Sequence, residues 1–205
     1  MKKALYMDMD GTIIVTKSGD KFPRDKTDWE YKDGVIAAIE RYVPDVIVIV
    51  TNQGGIESGF VVEEELVEKL KNIAIGINKL TGIKVVYDYC PAMDKSNYFR
   101  KPNPGMAYTH IIDQEISIAE STMIGDASDV FEVIFTSHDD ARNFEASIGK
   151  RAIEVRGPDG NGYYTVKVDS FSNSDRAFAK NAGIGKYYDV EEFIIYNTDV
   201  KAYIK

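Results

Sequence analysis

The sequence predicts an α/β fold of three layers, with a mainly parallel central sheet between two sets of helices. Three observations carry that prediction. Short β-branched runs alternate with amphipathic helical stretches, the pattern of βαβ units. The run Asp45–Val50 (DVIVIV) is almost continuously apolar, as a strand buried on both faces must be. Polar clusters fall where predicted strands end, at Asp8/Asp10, Thr51–Gln53 and Asp126/Asp129, with Arg100/Lys101 in a loop. Ligands of such sheets sit beyond the carboxyl ends of the strands, so these clusters predict one site.

The elements follow in order. Ala4–Met7 is a short apolar strand running into acids. Asp33–Val43 places Val35, Ile36, Ile39 and Tyr42–Val43 at helical spacing. After the Asp45–Val50 strand, Thr51-Asn52-Gln53-Gly54-Gly55 breaks the pattern. Glu63–Leu80 reads as a long amphipathic helix, with acids in its first turn and Gly82 just past its end. Lys84–Tyr89 is a strand, Pro91–Pro104 a loop, Gly105–Gln114 a helix, and Ser121–Ile124 a strand ending at Gly125-Asp126. Further on, Ala152–Arg156 and Tyr163–Val168 alternate around GPDGNG and predict a β-hairpin. Asp175–Gly183 reads as a final helix and Gly185–Tyr188 as a closing edge strand.

Composition narrows the function classes. The 205 residues, 44% hydrophobic and 28% charged, suit one globular domain that needs no staples. Cys90 is the single cysteine, which excludes an internal disulfide and a C-x-x-C zinc ribbon. Asp8 and Asp10 interrupt the apolar run of a signal peptide, and no stretch approaches the ~20 apolar residues of a membrane span, so a cytoplasmic protein without membrane contact is expected. The net charge of −8 argues against coating long nucleic acid. It leaves room for gripping one terminal phosphate, because Lys17, Lys21, Arg24 and Lys26 crowd one segment and Lys95, Arg100 and Lys101 another. Phe22, Trp29 and Tyr98 are candidates for stacking on a terminal base, although packing is the commoner role of such residues. No P-loop is present, since Gly149-Lys150 leads to Arg151 and Gly185-Lys186 to Tyr187, so no ATP site is expected. His110 and His138 are too few and too isolated for a histidine zinc site. The sequence carries no signal of oligomeric state.

The chemistry concentrates in Asp8-Met9-Asp10-Gly11-Thr12. Carboxylates at i and i+2 point to opposite sides of a continuing strand, and a following glycine lets the chain turn so that both face one pocket. One can then attack phosphorus while the other manages the leaving group's proton.

This segment and three others, Thr51 in TNQ, Lys101 in RKP and GDASD (Gly125–Asp129), resemble in order the motifs of haloacid dehalogenase-like (HAD) phosphatases. Val15–Trp29, Thr51–Gly59, Phe99–Met106 and Phe171–Ile184 narrow the likeness to the phosphatase domain of polynucleotide kinase 3′-phosphatases. The resemblance covers roughly residues 3–129 and 170–196. It implies a Rossmann-like (HAD) fold over residues 1–205, with a small inserted helix plus β-hairpin at about 130–169. It implies Asp8 as nucleophile, Asp10 as general acid and then base, Thr51 on the phosphoryl oxygens with backbone N–H groups around Asn52, Gln53 and Gly54, and Lys101 neutralising charge. Arg100 is a substrate contact by the same resemblance. Mg²⁺ would sit on Asp126, a carboxylate oxygen of Asp8 and the backbone carbonyl of Asp10, a hard-oxygen set that suits it.

The implied activity is removal of a 3′-phosphate from a nucleic-acid (DNA or RNA) end, with a role in DNA repair. The catalytic motifs are shared with histidinol-phosphate and heptose-bisphosphate phosphatases, which is the alternative; a non-catalytic end-binding module is a third reading. The zinc-binding heptose-bisphosphate type is disfavoured by the lone Cys90. Two departures stand out. Asp129 lies only three residues after Asp126, where the superfamily often places a second acid four or five residues on. Some forty residues also precede the F-S-x-x-D segment, whose Asp175 competes with Asp140 for a supporting role, an ordinary helix cap being an alternative reading for each.

Overall fold

In the computed structural model β1 (Ala4–Met7) is buried along its whole length and leads to a short antiparallel pair, β2 (Ile14–Val15) with β3 (Glu30–Tyr31). The described residues are 1–20, 23–148, 150–170 and 172–198; expectations on Lys21, Phe22, Gly149 and Phe171 lie outside them. Helix α1 (Val35–Tyr42) precedes β4 (Val46–Asn52), and α2 (Glu63–Thr81) precedes β5 (Val85–Cys90). Then come α3 (Gly105–Tyr108), α4 (Ile111–Gln114) and β6 (Thr122–Gly125). The segment between β6 and the next central helix holds β7 (Val130–Phe135), α5 (His138–Ser147), β8 (Arg151–Arg156) and β9 (Tyr164–Asp169). Helix α6 (Ser174–Ala182), strand β10 (Lys186–Asp189) and helix α7 (Val190–Asn197) follow.

The central sheet has five parallel strands in the order β10-β6-β1-β4-β5. Strand alternation divides its side chains between two cores. Leu5, Met7, Ile47 and Ile49 pack under α1, α2 and Phe193 of α7. Ala4, Tyr6, Val46 and Val48 pack with Met106 and Ala107 of α3 and Phe178, Ala179 and Ala182 of α6. That is the expected three-layer arrangement. Truncating a wholly buried side chain such as Ile47 to alanine would cost about 2–5 kcal/mol.

Register decides where the chemistry collects. Met7 pairs with both Ile49 and Ile124, so β1, β4 and β6 end at one edge. Asp8 and Asp126 leave the sheet together there, beside Thr51 near the end of β4.

Several expectations change. The predicted hairpin is two strands of a three-stranded antiparallel sheet, β7-β9-β8. Strand β7 escapes the periodicity test because Val130 and Ile134 are apolar too, leaving Glu132 as the one clear outward marker. This sheet has a core of its own, Phe131, Val133, Phe135, Phe144, Val166 and Val168, resting on Ile195 of α7. The helix at Asp175–Gly183 is not the last, because α7 follows β10. Its start was readable: Asp189 and Glu192 form a capping box ahead of an apolar run. The predicted helix over Gly105–Gln114 is broken into two short turns, where Thr109 Oγ1 donates to Asp88 Oδ2 at 2.6 Å and ties the chain to β5. Val43 does not extend the apolar face of α1; it caps the helix in the left-handed region at φ 53°, exposed.

Candidate active site

The Asp-x-Asp-Gly segment leaves β1 and turns at Gly11, whose φ of 79° suits glycine. A Cβ there would also overlap the Asp126 carboxylate, so the turn brings the β1 and β6 loops into contact. Gly125 does the same on the other side, where a Cβ would overlap the carboxylate of Asp175. Asp8, Asp126 and Asp175 thereby converge, each offering an oxygen within 4.8 Å of the others.

Lys101 enters from the loop after β5 and is 4% exposed. Its Nζ donates to Asp8 Oδ1 at 2.5 Å and to Asp175 Oδ1 at 2.7 Å. Asp175 uses its other oxygen to accept from the Ala127 N–H at 3.1 Å. The Lys101 backbone is held by Asn52, which accepts from the Lys101 N–H at 2.9 Å and donates through Nδ2 to its carbonyl at 3.0 Å.

Three acids around one ammonium leave excess negative charge, and the proton affinities reflect it. Burial pushes the Asp8 carboxyl well above its usual range; Lys101 pulls it back, while Asp175 and Asp126 push it further up. Burial, then the charge of Asp175, lifts Asp126 to about 6. Burial works to lower the Lys101 ammonium, but facing carboxylates outweigh it and the net shift is upward. A divalent cation with a preference for hard oxygens would relieve the excess, and the carboxylate set fits Mg²⁺ on that ground.

A second cluster adjoins the first. The buried Thr51 hydroxyl accepts from Gln53 Nε2 at 2.9 Å, and the same amide donates to Asp10 Oδ2 at 2.8 Å. Asp10 is the open member, its side chain 55% exposed, with Lys69 Nζ at 3.6 Å from Oδ1.

The structure brings together Asp8, Lys101 and Asp126, and links Thr51 through Gln53 to Asp10. It sorts the three rival acids as well. Asp175 joins the cluster, whereas Asp140 lies on α5, where its N–H satisfies the Ser137 cap. Asp129 sits at φ 66° with its N–H and carbonyl bonded to Ser172 and Ser170. Three of the expected substrate contacts also make bonds within the fold. The Gln53 N–H already donates to the Cys90 carbonyl at 2.8 Å. The Asn52 side chain is committed to Lys101. Arg100 Nη1 donates to the Ala92 carbonyl at 2.5 Å.

Sequence reasoning missed Lys69 and Lys150. Lys150 Nζ donates to the Asp126 carbonyl at 3.0 Å and to Asp189 Oδ2 at 2.7 Å, joining the 130–169 segment to the acid cluster. Neither lysine carries a motif, since each reaches the site across the fold rather than along the chain.

The polynucleotide kinase 3 phosphatase family matches residues 3–194. An uncharacterised 20.8 kDa protein of Autographa californica nuclear polyhedrosis virus is 29% identical over 205 residues, spanning 97% of this chain and 88% of the viral one. A D-glycero-beta-D-manno-heptose-1,7-bisphosphate 7-phosphatase of Pasteurella multocida is 29% identical over 136 residues, 62% of this chain and 72% of its own. The crystal structure of D,D-heptose 1,7-bisphosphate phosphatase from B. bronchiseptica, complexed with magnesium and phosphate, has a TM-score of 0.50 to this chain at 24% identity. It covers 62% of this chain and 71% of that one, a likeness of fold. No helix among the described residues is long and apolar enough to cross a membrane.

Proposed function

The chain belongs to the polynucleotide kinase 3 phosphatase family, and from that premise we propose that it removes the 3′-phosphate from nucleic-acid ends, DNA above all. The observation that carries the reading is the Asp8 carboxylate, held by Lys101 at a sheet edge with Asp126 and Asp175 beside it. An Asp8 oxygen attacks phosphorus, the bond to the 3′-oxygen breaks, and Asp10 passes its proton to the departing alcohol. Asp10 then takes a proton from the water that attacks the aspartyl-phosphate, which releases inorganic phosphate and restores Asp8. The exposure of Asp10 suits this exchange with solvent and leaving group. Thr51, whose oxygen receives the Gln53 amide, keeps its own proton to donate to a phosphoryl oxygen.

Asp8 and Asp126 would hold Mg²⁺ with the Asp10 carbonyl, and Asp175 would stand behind them, orienting Lys101 and the Ala127 N–H. The ion supplies positive charge that keeps Asp8 ionised and makes approach of a phosphate dianion favourable. Lys101 contributes the same from the protein side.

A second reading is a small-molecule phosphatase of the heptose-bisphosphate or histidinol-phosphate type; its heptose-bisphosphate form is favoured by relatives of that name matching about 62% of the chain. A substrate panel separates the two: a 3′-phosphorylated oligonucleotide, its 5′-phosphorylated isomer, histidinol phosphate and heptose 1,7-bisphosphate. The 3′-phosphorylated strand is expected to lead in kcat/KM. A metabolite ahead by orders of magnitude would transfer the assignment to the second reading. Absence of turnover on every phosphomonoester would leave an end-binding module.

A further inference from the structure

A groove of about 450 Å³ lies between α2 and the β2–β3 arm, with one wall from Glu65, Glu68, Lys69 and Asn72 and the other including Lys17, Lys26 and Trp29. The α2 residues recur at i, i+3, i+4 and i+7, so one helix face supplies that wall. Lys69 joins the groove to the chemistry, because its ammonium stands 3.6 Å from Asp10 Oδ1. Whatever occupies the groove is therefore next to the group that protonates the leaving oxygen.

We infer that this groove seats the terminal nucleoside of the substrate, its base against Trp29 and its 5′-side phosphodiester on Lys69 and Lys17. The inference rests on the 3′-phosphatase reading and adds to it the place of the leaving group. The volume lies within the usual range for a small-ligand pocket and admits about one nucleotide. Trp29 is half-buried and held edge-to-face by Tyr31, with ring centroids 5.6 Å apart. Tyr31 is in turn fixed by donating to the Ile73 carbonyl at 3.2 Å. An anchored aromatic wall stacks on any base, which suits an enzyme that meets every terminal sequence.

Charge limits how much nucleic acid the groove takes. Lys17, Lys26 and Lys69 are balanced by Glu30, Glu65 and Glu68. A basic track for a long strand would not carry that balance. One phosphodiester and one base are better matched, since lysines take the phosphate and carboxylates accept from exocyclic amino groups. Lys26 pairs with Glu68 at 3.3 Å and Glu65 at 3.8 Å; both contacts are exposed and are given up at little cost.

Trp29 is the only tryptophan, so its fluorescence reports on the groove alone. The Asp8→Asn protein, which cannot turn over, is titrated with a 3′-phosphorylated deoxyadenosine dinucleotide, and a saturable change in Trp29 emission is expected. In the active protein, Lys17→Glu with Lys26→Glu changes two exposed side chains. The ratio of kcat/KM for the 3′-phosphorylated dinucleotide to that for 4-nitrophenyl phosphate should fall by about tenfold or more. An unchanged ratio with silent Trp29 emission, in a protein that still prefers the dinucleotide, overturns the groove assignment alone. A wild-type protein with no such preference overturns the 3′-phosphatase reading and the groove assignment together.

Discussion

Asn52 clamps the backbone of Lys101 from both sides, accepting from its N–H at 2.9 Å and donating to its carbonyl at 3.0 Å. A strand-end asparagine thereby sets the height at which the Lys101 ammonium meets Asp8. Displacement of a catalytic group by about 1 Å costs on the order of a hundredfold in rate. Asn52→Ala should accordingly lower kcat by about ten- to a hundredfold while the protein stays folded. Steady-state kinetics beside a thermal melt checks this; an unchanged kcat would mean the lysine finds its place without the clamp.

Asp175 is set apart from the other two rival acids by its bond to Lys101. Asp175→Asn keeps the shape but removes a charge facing a buried ammonium, so kcat should fall by at least about tenfold and Tm by several degrees. Asp129→Asn and Asp140→Asn should leave kcat within about twofold, because neither belongs to the cluster. Equal losses in all three variants would contradict the sorting.

Glu192 makes stability depend on pH. Burial, ahead of the neighbouring Asp189 charge, lifts its carboxyl from the ordinary 4.5 to about 7. Between those values the folded chain keeps a proton that the unfolded chain has lost, so this group's contribution to stability declines as pH rises through the interval. Glu192→Gln removes the decline. Melts of both proteins should show a Tm advantage of the variant that grows from about pH 5 to about pH 8 and then levels. A difference flat in pH would reject the assignment.

Val43 closes α1 at φ 53° with 70% of its surface exposed, an unfavourable conformation for a β-branched residue. Replacing it with glycine or asparagine should relieve about 1 kcal/mol and raise Tm by a few degrees, with activity unchanged. Calorimetry that finds the asparagine variant less stable would show that the valine side chain contributes packing there.

Some of this protein was written in local pattern. The β-branched run now β4, the acidic first turn and Gly82 cap of α2, and the Asp-x-Asp-Gly turn all act within a few residues, so spacing and propensity sufficed for them. The polar residues at predicted strand ends then gathered Asp8, Thr51 and Asp126 at one sheet edge, with Lys101 in a loop, and parallel register puts the ends of β1, β4 and β6 there. Other choices needed the packed chain. Which of three acids joins the cluster depended on α6 crossing Gly125 closely enough that only a hydrogen fits between them. Lys69 meets Asp10 across 59 positions and Lys150 meets the Asp126 carbonyl across 24, distances in sequence over which no periodicity carries information. Local order followed from each residue's own conformational preferences, whereas the partners of a buried charge such as Lys101 were settled only by the packing that desolvates it.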